Sequence, residues 1–333
     1  MRCWVDSLAT TSARIQASSR AGGSRFGDPH GPTSRVTCLP MPENVNQMFA
    51  NVMVVFEVFR EMAKNAAMGI PAVRDARVAR QRTALPLDAS HLDRYAFPLL
   101  DLVTTHVGSV IGKTILEIGP GDNLASGLAF LAAGAKSYSA LDRFPGPYAS
   151  ELSRRWYRLV EQTWSLKYPH LKWPAYLDAN RFPNYPEVTT FPISAENFNQ
   201  TARYDVVCSF AVGEHVSDIH AFAALNRRAL SESGVGLHVV DFGGHQWDRP
   251  EDPYLFLRFP VSVWRAMGSN RGFPNRIRFH EYLDAFAQSG LSVDVVDRRA
   301  FKTVGRRPPA WVTRLPEESG SIQEATFVVR RPR

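Results

Sequence analysis

The chain has 333 residues, 44% of them hydrophobic and 11% aromatic, with 39 basic against 32 acidic side chains. That composition builds a sizeable core and excludes a disordered or low-complexity polymer, and no apolar run approaches the roughly 18–20 residues of a membrane-spanning helix. Cys3, Cys38 and Cys208 leave one cysteine unpaired in any disulfide scheme and show neither Cys-x-x-Cys nor Cys/His ligand spacing. A reducing, cytoplasmic compartment is expected, with no disulfide framework and no metal site.

Residues 1–40 are rich in Ser, Thr, Arg, Gly and Pro, carry three of the seven excess positive charges, and show no apolar period. They read as an unstructured leader, with Met41 or Met48 as the working start of the folded chain. From Asn44 to Met68 the residues Val45, Met48, Phe49, Val52, Phe56, Phe59 and Met62 recur at spacings of three and four, which predicts an amphipathic helix. A second helical stretch spans Ser90–His106, and an Arg-rich connector, Arg74–Arg82, joins the two. Residues 41–110 are thus expected to form a helical N-terminal cap.

After Gly108 short apolar runs alternate with helical segments, the pattern of βαβ units and a parallel sheet. The expected strands are Thr114–Ile118, Ser137–Leu141, Val188–Phe191, Asp205–Ser209, Gly234–Val240, Ser292–Val296 and Ala325–Val329. Seven such strands predict one α/β domain over 111–333, a Rossmann-like doubly wound sheet. Between Asp142 and Val188 the chain exceeds one crossover helix and carries Tyr148, Trp156, Tyr157, Trp164, Tyr168, Trp173 and Tyr176. This insertion, 143–187, either packs through its aromatic rings or covers an acceptor pocket.

The most informative segment is Ile115-Leu116-Glu117-Ile118-Gly119-Pro120-Gly121-Asp122-Asn123, a buried strand running into a glycine turn and then a helix N-terminus. Such a turn lets a ligand approach the backbone and offers it free N–H groups. A dinucleotide fingerprint would need glycine where Leu124 stands, and a Walker loop would need a Gly-Lys-Ser/Thr that is missing. An acid just before the glycines, Glu117, and another closing the next strand, Asp142, match a different arrangement. From Lys113 to the C-terminus the sequence resembles the class I S-adenosylmethionine-dependent methyltransferases. The resemblance implies that Glu117, Gly119, Pro120 and Gly121 wrap the amino-acid part of S-adenosylmethionine and that Asp142 takes the ribose hydroxyls. It further implies that Glu196, in Ser194-Ala195-Glu196, lies at the adenine end, and that Ser209 and Phe210, at the start of Ser209-Phe210-Ala211-Val212-Gly213-Glu214-His215-Val216, line the methionine end.

For the acceptor, an alcohol gains from a general base, and histidine suits neutral pH. His245, after the fifth strand, is the expected base, with Asp241 as its orienter or as an acceptor-binding acid; the Glu-His pair that holds His215 is more often architectural or cofactor-side in the resembled family. The Asn- and Arg-rich segment Met267–Arg278 offers Arg271, Asn275 and Arg276 as donors to a carboxylate, phosphate or sugar, and resembles a loop in bacterial methyltransferases of saccharide biosynthesis. The expected activity is O-methylation of a small molecule or glycan intermediate. Two alternatives stand beside it. An RNA methyltransferase is suggested by the pI near 9.5 and by a Leu-Glu-Ile-Gly-Pro-Gly loop shared with ribosomal RNA adenine dimethylases, although the Asn/Asp-Pro-Pro-Tyr-like run typical of methylation at base amino groups is missing. The other alternative is a non-catalytic cofactor-binding module. With three of the seven excess charges in the leader, the remainder argues for a pocket that takes a small polar acceptor and against a nucleic-acid backbone as partner.

Overall fold

The computed structural model describes residues 43–332 apart from 75, 77–88, 95, 200, 202–203, 250–251, 303–306 and 317. The expected leader with Cys3 and Cys38, the start at Met41 and most of the Arg-rich connector lie outside the described residues. The helices and strands begin with α1 (Glu43–Met68), α2 (Ala96–Val107), β1 (Thr114–Ile118), α3 (Ala125–Ala132) and β2 (Ser137–Leu141). They continue with α4 (Glu151–Lys167), β3 (Val188–Phe191), β4 (Tyr204–Phe210), α5 (Ile219–Ala229) and β5 (Leu230–Asp241). The chain closes with α6 (Val261–Gly268), α7 (Phe279–Gln288), β6 (Ser292–Ala300) and β7 (Ile322–Arg330).

All seven strands join one sheet in the order β3-β2-β1-β4-β5-β7-β6. The pairs from β3 through β5 are parallel, and β7 runs antiparallel to both β5 and β6. Each expected strand is present; β1, β2 and β3 have the expected bounds, while β4 to β7 extend beyond them. The central strands are long apolar runs because both of their faces are covered. On one face α2, α3 and α4 bury Phe97, Leu100, Leu128, Phe130, Tyr157 and Trp164. On the other, α5 and α7 bury Phe222, Leu225, Tyr282 and Phe286 with Phe327 of β7. The order of neighbours reverses between β1, which leads on to β2, and β4, which leads on to β5. Loops at the carboxyl ends of the strands around that reversal form the crevice where open α/β sheets hold ligands.

The described residues fall into two compact units, one holding α1 with Pro260–Gly272, the other the described residues of Ala76–Phe259 with Phe273–Arg333. This corrects the expectation of one helical cap over 41–110. The α2 helix belongs to the sheet-bearing unit, where its buried face joins the first core, whereas α1 belongs with α6. Within that smaller unit, Asn65 donates to the Ala266 carbonyl and to Ser269 Oγ and accepts from the Asn270 N–H. Glu61 forms a buried ion pair with Arg271. Phe56 and Phe59, two members of the predicted apolar stripe, remain largely exposed; the polar pair Glu61 and Asn65, one turn apart, makes the contact with the segment that returns 200 residues later.

Candidate functional site

The loop after β1 turns on Gly119 and Gly121, whose φ angles of +70° and +80° lie in the left-handed region that favours glycine. A Cβ on Gly119 would stand 2.6 Å from Val212 Cγ2, so the turn also needs glycine for its approach to the loop after β4. Beneath the turn, Glu117 is buried and accepts hydrogen bonds from Ser126 Oγ and the Tyr138 hydroxyl, both at 2.5 Å. Tyr138 reaches it under α3 at Gly127, where an added Cβ would lie 2.4 Å from the ring. Burial raises the Glu117 carboxyl to about 7, the two donors oppose that rise, and the Asp142 charge adds to it. Glu117 is thus an internal brace of the loop, joined to α3 and β2.

Asp142 follows β2 and accepts from the Gly121 N–H with one oxygen (3.2 Å) and the Phe144 N–H with the other (2.7 Å). Each oxygen keeps a lone pair for a further donor. Burial holds this carboxyl above its ordinary range, although the two N–H donors oppose the shift. Next to it opens a cavity of about 430 Å³ lined by Arg143, Pro192, Ile193, Ser194, Glu196, Asn197 and Ser217. That volume lies within the ordinary span of small-ligand sites. Glu196 accepts from the N–H and hydroxyl of Ser217 (3.0 and 2.7 Å), joining the loops after β3 and β4. Burial works against its ionisation, but the Ser217 donors prevail and keep it below the usual carboxylate range.

The ends of β4 and β5 bring a second group together. Ser209 does not turn its side chain to this edge: its hydroxyl is fully buried and 2.8 Å from His238 Nδ1, while His238 Nε2 is 2.8 Å from Asn226 Oδ1. Because Asn226 Nδ2 donates to the Phe222 carbonyl, its Oδ1 accepts from Nε2–H, which leaves Nδ1 to accept the serine proton. Desolvation lowers His238 to about 3. Phe210 is half-buried against the first core. Beyond it a short turn, Gly213–His215, presents Glu214 and His215. His245 opens another after β5 with φ +62°, and its ring stacks on His215 at 5.4 Å and an interplanar angle of 19°. Asp241 Oδ2 lies 4.0 Å from His245 Nδ1, and Asp241 Oδ1 accepts from the Gly243 N–H. The expected pair of His245 and Asp241 is therefore assembled, in the company of Glu214 and His215. Burial, reinforced by His215, holds His245 far below its ordinary pKa, so its imidazole is neutral. Burial likewise raises Glu214, Asp241 and Asp248, the last to about 7.

No family model and no curated protein sequence matches this chain. Solved structures similar to it include an S-adenosylmethionine-dependent methyltransferase from Mesorhizobium loti, at 14% identity over 69% of this chain and 96% of that one, with a TM-score of 0.41. Another is Burkholderia thailandensis 1,6-didemethyltoxoflavin-N1-methyltransferase with bound 1,6-didemethyltoxoflavin and S-adenosylhomocysteine, at 13% identity, 71% and 77% coverage and a TM-score of 0.38. A third is Haemonchus contortus phosphoethanolamine N-methyltransferase 2 in complex with S-adenosyl-L-methionine, at 14% identity and a TM-score of 0.40, covering 71% of this chain and 52% of that one. At such identities and TM-scores the chemistry of this chain is decided by its own residues.

The three expected acceptor donors have other work. Arg271 pairs with Glu61 inside the smaller unit. Arg276 donates to the Phe259 and Leu257 carbonyls and lies over the Trp311 ring. Asn275 Nδ2 donates to the Gly213 and Val216 carbonyls, both at 3.1 Å, and its N–H donates to the Glu214 carbonyl, so it clamps the turn that carries Glu214 and His215. The aromatic insertion packs: Trp156, Tyr157, Trp164 and Tyr168 are buried in the first core. Tyr157 also reaches the glycine loop, where its hydroxyl accepts from the Leu124 N–H and donates to the Tyr148 carbonyl. Sequence reasoning missed Arg143 and Ser217 on the cavity wall, the buried acid Glu214, the half-buried Asp248, and the His238 network. A signal for Glu214 was present, since an acid beside a histidine after an apolar strand puts two chemically active groups on one strand end.

Proposed function

We propose that the chain is an S-adenosylmethionine-dependent methyltransferase that methylates a hydroxyl group of a small polar molecule or glycan intermediate. The observation that carries this reading is Asp142, with a lone pair left on each oxygen, beside a cavity walled by Arg143, Glu196 and Ser217 at the reversal of strand order. A carboxylate so placed accepts the two hydroxyls of a ribose, and the loop residues Ser194 and Glu196 sit where an adenine edge needs polar partners. The backbone from Gly119 to Gly121 serves the amino-acid end, Pro120 shaping the turn, with Glu117 fixing it from below. Bound there, S-adenosylmethionine supplies a methyl group activated on a sulfonium.

Transfer of that methyl group depends chiefly on holding the acceptor in line with it. His245, neutral and near Asp241, has a nitrogen lone pair for a hydroxyl proton or for an electrophile, and lies at the carboxyl end of the sheet. Calorimetry with S-adenosylmethionine tests the cofactor assignment. Asp142→Asn retains the shape but halves the acceptor capacity and removes the charge, and is expected to weaken binding about 10- to 100-fold. Wild-type affinity in this variant would refute the role of Asp142. Methyl transfer from labelled cofactor to hydroxylated small molecules, compared between wild type and His245→Asn, reads the second half of the proposal.

A further inference from the structure

We propose that Glu214, His215 and His245 form a binding site for a divalent transition-metal ion, zinc in the first instance. Each residue brings one ligand-type atom to a common point, and the three atoms lie within 4.8 Å of one another. A tetrahedral zinc ion with bonds of about 2.0–2.2 Å would set them roughly 3.3–3.5 Å apart, a contraction of the kind side-chain rotation supplies. Two nitrogens and one carboxylate are the donor set of catalytic zinc, which keeps a further position open.

A buried carboxylate points to a cation. Glu214 is 2% exposed, and neither of its buried carboxylate oxygens has a partner at hydrogen-bond geometry. The nearest basic group paired with it is His215, whose Nε2 is 3.9 Å from Oε1. A carboxyl buried in this way needs a proton or a positive ion. His245 is held at φ +62°, a conformation that costs a residue with a Cβ, and its ring stacks on that of His215. The surroundings match: Asp241, 4.0 Å from His245 Nδ1, stands where ligating histidines find an orienting carboxylate, and Asn275 fixes the Gly213–His215 turn from behind.

The use of the ion rests on the methyltransferase reading. An acceptor hydroxyl at an open position would lose its proton to solvent near neutral pH. Its oxygen would then donate an electron pair to form the bond to the methyl carbon as the sulfur–methyl bond breaks, and the pair of that broken bond would stay on sulfur, giving a thioether.

The test is calorimetric titration of zinc alone into the full-length chain stripped with a chelator. The expected result is one equivalent bound by the wild type, a loss of at least 100-fold in Glu214→Gln and His245→Asn, and no change in His170→Ala, which alters an exposed histidine. Asparagine is chosen at 245 because it tolerates the left-handed backbone. Absence of stoichiometric binding, or equal binding by wild type and both variants, overturns the site. Should either variant fail to fold, cobalt(II) added to the wild type decides: visible bands of a low-symmetry nitrogen-ligated ion support the site, and the spectrum of the hexaaqua ion refutes it. Neither readout involves cofactor or acceptor, so a failed metal titration leaves the S-adenosylmethionine assignment standing, and the reverse also holds.

Discussion

Glu117 and His238 are both buried and both titrate away from their ordinary ranges, with opposite consequences for stability. Glu117 is raised from 4.5 to about 7 by burial, so the folded chain binds its proton more tightly than the unfolded chain. Its contribution is fully present below pH 4.5 and is lost as pH rises through 7, a loss of about 3 kcal/mol at most. Glu117→Gln, which keeps an acceptor for Ser126 and Tyr138, should flatten the fall of unfolding free energy between those pH values in urea titrations. A wild-type slope in the variant would show that Glu117 does not titrate there. His238 is lowered from 6.5 to about 3, so the unfolded chain binds its proton more tightly. Here stability is present above 6.5 and lost as pH falls toward 3. His238→Leu is expected to weaken the fold at neutral pH by stranding Ser209 and Asn226, and to lose less on acidification than the wild type. The Ser209 hydroxyl belongs to this network. Its place on β4 was readable from the sequence, but the face it presents follows from its pairing with β5.

At the scale of elements, the strand ends matter more than the strands. The Gly213–His215 turn has too few residues to hold its own shape, and Asn275 supplies three of its hydrogen bonds from beyond α6. Asn275→Ala is expected to cost about 1–3 kcal/mol, since it leaves two carbonyls without their donor. It should also weaken zinc binding, which a double-mutant comparison with His215→Ala would read as non-additive. The contact between α3 and β2 carries a second prediction. A methyl at Gly127 must displace the Tyr138 ring, so Gly127→Ala, which on an open helix surface would stabilise, should lower stability by about 1–3 kcal/mol here. The midpoint of urea unfolding checks it, and a stabilised variant would show that the ring has room to move.

Over the whole molecule the excess positive charge is less available than its total suggests. Of the seven excess charges, three lie in residues 1–40, and Arg271, Arg276 and Arg278 direct their guanidinium groups into the protein. Arg278 is buried among Phe242, Phe256 and Phe301 and donates to the Phe242 and Ile322 carbonyls. Filter-binding with structured RNA is therefore expected to show no affinity that falls steeply with salt, and a log–log slope of several units would restore the nucleic-acid acceptor. Among the described residues no helix is long and apolar enough to cross a membrane.

Local pattern carried the architecture of this protein a long way. Short apolar runs alternating with helical segments marked all seven strands, and Gly119, Gly121 and Asp142 stood out because turn chemistry and strand-end acids are encoded within a few residues. The order β3-β2-β1-β4-β5-β7-β6, the brace at Glu117, the clamp from Asn275 and the meeting of Glu214 with His245 belong to the tertiary structure alone. So does the pairing of α1 with α6. Each of these depends on residues between 9 and about 200 positions apart, and a side chain's role there is set by which neighbour burial leaves it. An arginine or asparagine in a turn-rich segment reads equally well as a ligand donor or as a brace, and only the carbonyls placed opposite it by the folded chain decide between them.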